Sequence, residues 1–404
     1  MRNPRAARAS SAATGEPAAT PSIYEVARAA GISVATVSRV LNDKGPVRAE
    51  TRLRVLAAVE QLGYVPHSAA RSLSTRRTMS IGVLLPDMHG AFFGEIVRGI
   101  DLAARAAGYH LLVSGSHSDA AETAALLQTL HGRVDGLILM TPALGRAWLD
   151  KVLPRRVPVV LLNPRSEPKA SSDVVERSTG EPGGRGSNPR SEPAAGDDDG
   201  AAGRHDSLSI DNRLGARLAV EHLIGLGHRR IAFVGGPVGN ADAAERLAGY
   251  REALEQHGLP IVPRLEMAGD FGEESGLQAG AKMAALTPHP TAIFAANDAM
   301  AIGCLAAMRE RGLRVPEDVS LVGFDDVPIA RYLTPALTTV QVPIAELGKQ
   351  AMARLLAAVD DGSPGHPEGG PTHTVIAPTL AIRASTAAAA GAPKQTATKR
   401  RKSS

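Results

Sequence analysis

Apolar residues recur at helical spacing in three short stretches near the N-terminus, and beyond Met79 the rhythm changes to short apolar runs alternating with amphipathic ones. Ile23, Val26, Ala27 and Ala30 share one face of a first helix that Gly31 interrupts. A second helix is predicted over 34–41, and Val55, Val59 and Leu62 mark a third that Gly63 stops. Farther on, strands are predicted at 81–85, 110–114, 136–140 and 157–162, with helices over 93–107 and 119–130 between them. The series resumes with strands at 207–210, 230–234, 292–295 and 320–324 and helices over 214–226, 243–257, 274–285 and 298–311. Continuous apolar strands separated by helices are the signature of parallel sheets covered on both faces. The expected fold is therefore an all-α three-helix module followed by an α/β body of two similar lobes with parallel sheets.

Three stretches fall outside this rhythm. Residues 1–20 have no apolar periodicity and read as a disordered basic arm. Residues 164–206 are rich in Gly, Pro, Ser and charge, and NPRSEPKA at 163–170 recurs as NPRSEPAA at 188–195. This insertion is too long for an ordinary connection and reads as a solvated loop or a lid near the cleft. Residues 387–404 read as a disordered basic tail, Ala-rich and ending in Lys399 to Lys402, which is either solvated or a weak auxiliary DNA contact.

Charge sharpens the division. The net +4 of the 404 residues splits into +7 over 1–77, +5 over 387–404 and −8 over what lies between. A basic N-terminal module points to a polyanion such as nucleic acid, because neutralising phosphates releases condensed counterions. A lone cysteine, Cys304, excludes an internal disulfide. No apolar run is long enough for a membrane helix and no signal-peptide core is visible, so a soluble cytoplasmic protein is expected. No GxSxG, HExxH, paired CxxC or phosphate loop is present, which leaves an enzyme without support and predicts no metal and no cofactor.

The second helix carries the first candidate site. Ser33 is placed to cap it, and Ser33 with Thr36 at its free amides can hold a DNA phosphate. Val34, Ala35, Ser38 and Arg39 project from one face; Arg39 suits guanine O6 and N7, while Val34 and Ala35 suit thymine methyls or ordinary packing. The run SIYEVARAAGISVATVSRVLN at 22–42 closely resembles the headpiece of the lactose/galactose repressor family, and YVPHSAARSL at 64–73 resembles its hinge helix. The resemblance extends from about Ser22 to Arg383 except for the insertion, with Arg48 standing where many relatives begin the third helix with serine. It adds Tyr24 and Asn42 to the DNA-contacting set and implies that Leu73 wedges between central base pairs from the minor groove. It also implies a homodimer on double-stranded operator DNA, with a helix-turn-helix domain over 21–66, a hinge over 67–78 and an effector and dimerisation body over 79–386. No leucine heptad follows Arg383, so a tetramer built on a C-terminal coiled coil is not expected.

The body resembles periplasmic sugar-binding proteins, and on that likeness Phe93 is a pocket aromatic, Asn163 a polar contact at a strand end, and Arg246 an effector-contacting arginine with Asp242 nearby. Phe271 and Asp298 complete the candidate effector set. Arginine and carboxylate together suit vicinal hydroxyls, and the phenylalanines suit a sugar ring or a flat base, or else simply fill the core. The effector is expected to be sugar-like, with a nucleobase-like compound as the alternative; inducer and co-repressor action both remain open. Gly323-Phe-Asp-Asp326 reads as a structural or interlobe element. A protein-responsive regulator and a transport receptor are competing classes; Arg246 and Asp298 argue against the first, and the headpiece against the second.

Overall fold

The computed structural model describes residues 21–42, 45–64, 77–164, 204–361 and 370–389. The arm, Leu73 with most of the hinge, most of the insertion and the tail beyond 389 lie outside the described residues. The chain divides into two compact units at Thr78/Met79.

The first unit holds α1 (Ile23–Ala30), α2 (Val34–Leu41) and α3 (Ala49–Leu62). α1 starts in a capping box, with the Ser22 amide donating to Glu25, and ends on left-handed Gly31. Val26, Val37, Val40, Val55 and Tyr64 form its small core.

The second unit contains two six-stranded sheets. Lobe 1 is built from β1 (Ser80–Leu85), β2 (His110–Gly115), β3 (Gly136–Met140), β4 (Val159–Leu162), β5 (Asp206–Ile210) and β11 (His373–Ile376), in the order β11-β5-β4-β3-β1-β2 and parallel throughout. Its helices are α4 (Ala91–Ala106), α5 (Ala120–Leu130), α6 (Arg146–Val152) and α11 (Ile344–Asp360). Lobe 2 holds β6 (Ile231–Gly235), β7 (Glu266–Ala268), β8 (Ala292–Ala295), β9 (Ser320–Asp325), β10 (Thr338–Gln341) and β12 (Thr379–Ala381), ordered β12-β10-β9-β8-β6-β7. There only β12, against β10, runs antiparallel. Its helices are α7 (Asn212–Gly225), α8 (Ala241–Gln256), α9 (Glu273–Ala284) and α10 (Asp298–Glu310).

The chain passes between lobes three times: after β5, after β10 and after β11. The second crossing returns α11 to lobe 1, where it packs tightly on α4: a Cβ on Gly99 would strike the Ala345 carbonyl, and one on Gly348 the Ile96 carbonyl. Residues 387–389, assigned to the tail by composition, are instead tied to lobe 2. Ala387 bonds Ser320 and buried His228, and the Ala389 amide donates to Leu226 O. An Ala-rich composition carries no signal for such backbone anchoring.

Candidate functional site

In the helix-turn-helix unit the predicted readers lie on or beside α2. Ser33 caps it, accepting from the Thr36 amide at 3.3 Å, and its hydroxyl lies 3.0 Å from that of Thr36. The two hydroxyls are thus held together beside the first-turn amides. Ala35 and Arg39 are exposed, with Arg39 Nε resting 3.4 Å from Ala35 O. Asn42 Nδ2 bonds both Ser38 O and Ser38 Oγ, which fixes one polar edge of the helix. Tyr24 is largely exposed on α1. Val34 is half-buried and packs on the small core, so its side chain serves the fold at least as much as an outer face.

In the body, a cavity of about 360 Å³ lies between the lobes. It sits where the carboxyl ends of parallel strands leave loops and helix starts free, the usual location for ligands in open α/β sheets. Phe93, Asp242, Arg246 and Phe271 all line it. Asn163 and Asp298 do not.

The centre of the site is Arg246 on α8, only 4 % exposed. Its Nε donates to Asn212 Oδ1 at 2.8 Å, Nη1 donates to Ala296 O, and Nη2 lies 3.5 Å from Asp325 Oδ1. The guanidinium stands 3.7 Å from the ring centre of Phe324 and 5.6 Å from that of Phe271. A buried cation held on its edge and against aromatic faces is fixed in place before any ligand arrives. Asp242 accepts from Asn212 at 2.8 Å and from Asn163 at 3.2 Å. Desolvation raises the pKa of Asp242, with Arg246 and the two asparagines opposing. Asp325 is carried up to about 7, first by desolvation, against the pull of Arg246 and with a further push from Asp242. At 3.5 Å its Oδ1 is in ion-pair range of Arg246 without making a hydrogen bond, so this oxygen has acceptor capacity to spare.

Asp298 is corrected from cavity wall to internal brace. It is 0 % exposed; Oδ2 accepts from the Val327 amide at 2.9 Å and Oδ1 from the Thr339 hydroxyl at 2.5 Å. The two oxygens are spent on the loop after β9 and on β10, and desolvation, then the charge of Asp325, pushes its carboxyl well up. Asn163 is likewise consumed: its Oδ1 accepts from the Ile210 amide and its Nδ2 donates to Asp242, which ties lobe 1 to the cavity wall of lobe 2. A second tie joins the Ala241 amide to Pro142 O at 3.2 Å.

Sequence reasoning missed Asn212, Asn297 and Asp325. Asn212 bridges Asp242 and Arg246, whereas Asn297 caps α10, donates to Phe271 O and lines the cavity. Asp325, in a motif that reads as structural or interlobe, ends β9 at the cavity wall with φ 110°. Its position at the carboxyl end of an apolar strand was the available signal.

Comparison with known proteins covers both units. Residues 22–67 match the profile described as bacterial regulatory proteins, lacI family. Residues 78–174 match periplasmic binding proteins and sugar binding domain of LacI family, and 220–386 match a periplasmic binding protein-like domain. The chain is 34 % identical over 336 residues to catabolite control protein A of Priestia megaterium, spanning 83 % of this chain and 91 % of that one. It is 33 % identical over 343 residues to the transcriptional regulator GalR of Escherichia coli, spanning 84 % and 89 %. Among solved structures, the lac repressor dimer bound to operator and the anti-inducer ONPF matches with a TM-score of 0.73 at 29 % identity, over 91 % of this chain and all of that one. A complex of the regulator CelR with cellobiose matches with a TM-score of 0.60 at 30 % identity, over 90 % and 99 %.

Proposed function

The chain belongs to the lacI family of bacterial regulatory proteins, and from that premise we propose that it is a dimeric cytoplasmic repressor whose effector is a sugar. As a family member it is a sequence-specific DNA-binding regulator with effector-controlled operator affinity, not an enzyme. No helix among the described residues is long and apolar enough to cross a membrane.

The observation that carries the sugar reading is the clamped guanidinium of Arg246 flanked by Asp242 and Asp325 at the cavity wall. The remaining Nη2 donor of that guanidinium, beside carboxylate acceptors, matches vicinal hydroxyls, each of which gives one hydrogen bond and accepts others. Phe93 and Phe271 supply apolar faces for the ring, with Phe92 edge-on to Phe93 at 5.4 Å. The same faces would also receive a flat nucleobase, which is the second reading. Asn163 and Asp298 act in this scheme through Asp242 and through the loop after β9 rather than by touching the effector.

On the DNA side, Arg39, Ala35 and Ser38 read the major groove, Ser33 and Thr36 hold a phosphate, Tyr24 and Asn42 support the contact, and Leu73 wedges the centre of the site. Effector binding between the lobes favours one lobe arrangement, and the three interlobe crossings pass that preference on to the hinge segment and so to operator affinity. Only differential affinity for the two arrangements can shift the equilibrium.

Selection of the purified full-length protein on random duplex DNA, with and without a pool of sugars and nucleosides, tests this reading. Recovery of a pseudo-palindrome whose occupancy changes when one sugar is added is the expected result. A response confined to nucleosides selects the second reading, and recovery of non-palindromic sites would count against a dimer.

A further inference from the structure

Resting on that effector reading, we infer that the cleft selects for an effector without an anionic group: the free sugar, with its phosphate ester rejected. Among the described residues, five carboxylates line the cavity, from Asp87, Asp242, Asp270, Glu273 and Asp325, against a single guanidinium, Arg246. No lysine lines it.

The arrangement has an inner and an outer part. Inside, Arg246 already spends Nε on Asn212 and Nη1 on Ala296 O, keeps Nη2 beside Asp325, and is covered by Phe324. Phosphate capture would need that fork free, because a bidentate grip uses two parallel N–H donors. At the mouth, Asp87 from lobe 1 and Asp270 and Glu273 from lobe 2 are exposed, so both lobes present negative charge to an entering molecule. Asp270 is fixed ionised: Ser275 and the Gly272 amide, which donates at 2.8 Å, hold its carboxyl below the usual range. The nearby imidazole of His89 is engaged with Asp87 at 3.3 Å.

Four helix starts also face the cavity, those of α4, α8, α9 and α10, and their dipoles work in the opposite direction. Each is worth roughly half a positive charge at its end. The starts of α8 and α9 carry an acid in the first turn, Asp242 and Glu273 with Glu274, which offsets that partial charge locally. The start of α4 has no such acid, yet Asp87 lies on the loop just before it, accepting from the Met88 and His89 amides. A phosphate ester brings a charge of about −1.5 to −2 at neutral pH into this field. A sugar hydroxyl brings none and can donate to the acids.

The test is calorimetric titration of the full-length protein with matched pairs: glucose and glucose 6-phosphate, galactose and galactose 6-phosphate, ribose and ribose 5-phosphate, adenosine and AMP. A free sugar is expected to bind with its ester weaker by on the order of 100-fold. The variant Asp270→Asn with Glu273→Gln is expected to narrow that ratio by about tenfold, and raising the salt concentration should narrow it too. An ester that binds as tightly as its parent sugar overturns the inference and leaves the sugar reading intact. Adenosine binding while AMP and the sugars do not would overturn the sugar reading and leave the charge selection standing. AMP as the tightest ligand, or no binding by any member at millimolar concentration, overturns both.

Discussion

The two lobes meet the cleft with walls of different character. Lobe 2 offers a network in which Arg246, Asn212 and Asp242 are cross-bonded and Phe324 and Asp325 close in around the guanidinium. Lobe 1 offers half-buried Phe92 and Phe93, the apolar Met140 and Pro142, and a helix start at Gly90 with no side-chain cap. Inside the cavity polar recognition is therefore assembled in advance on one side, and the other side contributes shape and water exclusion, with its one acid, Asp87, at the mouth. Preorganised donors cost little reorganisation on binding, whereas an apolar wall gains its energy only when it closes on the ligand. This division suits a receptor that senses its ligand with lobe 2 and reports through the approach of lobe 1.

Arg246→Ala strikes the comparison hardest. It removes the clamped guanidinium and leaves Asp242 and Asp325 facing each other without their cation. Breaking a buried ion pair by deleting one partner costs about 3–5 kcal/mol, so a marked fall in thermal stability is expected together with loss of effector binding. Denaturation and calorimetry on the same preparation check both. Full stability with lost binding would mean that the network is not a structural unit.

Asp325→Asn probes the same wall through pH. Asp325 titrates near 3.8 when unfolded and at about 7 in the folded chain, so the folded state holds the extra proton in between. Its contribution to stability is neutral below 3.8, falls by up to about 1.4 kcal/mol per pH unit as pH rises, and levels off above about 7. Asp325→Asn should abolish this decline and be the more stable protein at alkaline pH. Effector affinity should move the other way in the parent chain, strengthening as pH rises to about 7, because a sugar hydroxyl donates best to the ionised carboxylate. Parallel unfolding curves at all pH values would remove Asp325 from this role.

Phe93→Ala tests the opposite wall. The ring is half-buried, so its loss should leave folding nearly unchanged while weakening the effector by about tenfold, in line with the loss of one aromatic face. If Phe93→Ala reproduced the instability of Arg246→Ala, the two walls would not differ as described.

The same contrast explains what was legible in the sequence. Lobe 1's aromatic stands out because Phe is a scarce type here, and lobe 2's arginine because it sits in a recognisable local pattern. The alternating strands and helices were visible for the same reason, since a buried parallel strand writes itself as an apolar run. Hidden from view was whatever depends on long-range closure. β11 and β12 are short and carry exposed Val375 and Thr379, so nothing local announces that they finish two different sheets. Asp298 and Asp325 are both aspartates near strand ends, and only the Thr339 and Val327 contacts decide that the first is used up inside while the second faces the cavity.

The headpiece allows the mildest test, because its architecture rests on local rules that the body mostly overrides. α1 and α2 begin with serines that bond their first-turn amides, but α3 begins at Arg48, whose side chain makes no cap. Its first-turn amides therefore lack the acceptor that the other two helices have. Arg48→Ser supplies one, and a gain of about 1 kcal/mol in headpiece stability follows from the usual worth of a serine cap. The same change removes a cation from a module that carries +7 over 1–77, so its affinity for non-operator DNA should fall and the salt slope should shrink by about 0.9 if Arg48 meets a phosphate. Thermal unfolding of the full chain and a salt titration on random duplex separate the two effects. An unchanged slope with raised stability would assign Arg48 to helix initiation alone, and unchanged stability would show that solvent already satisfies those amides.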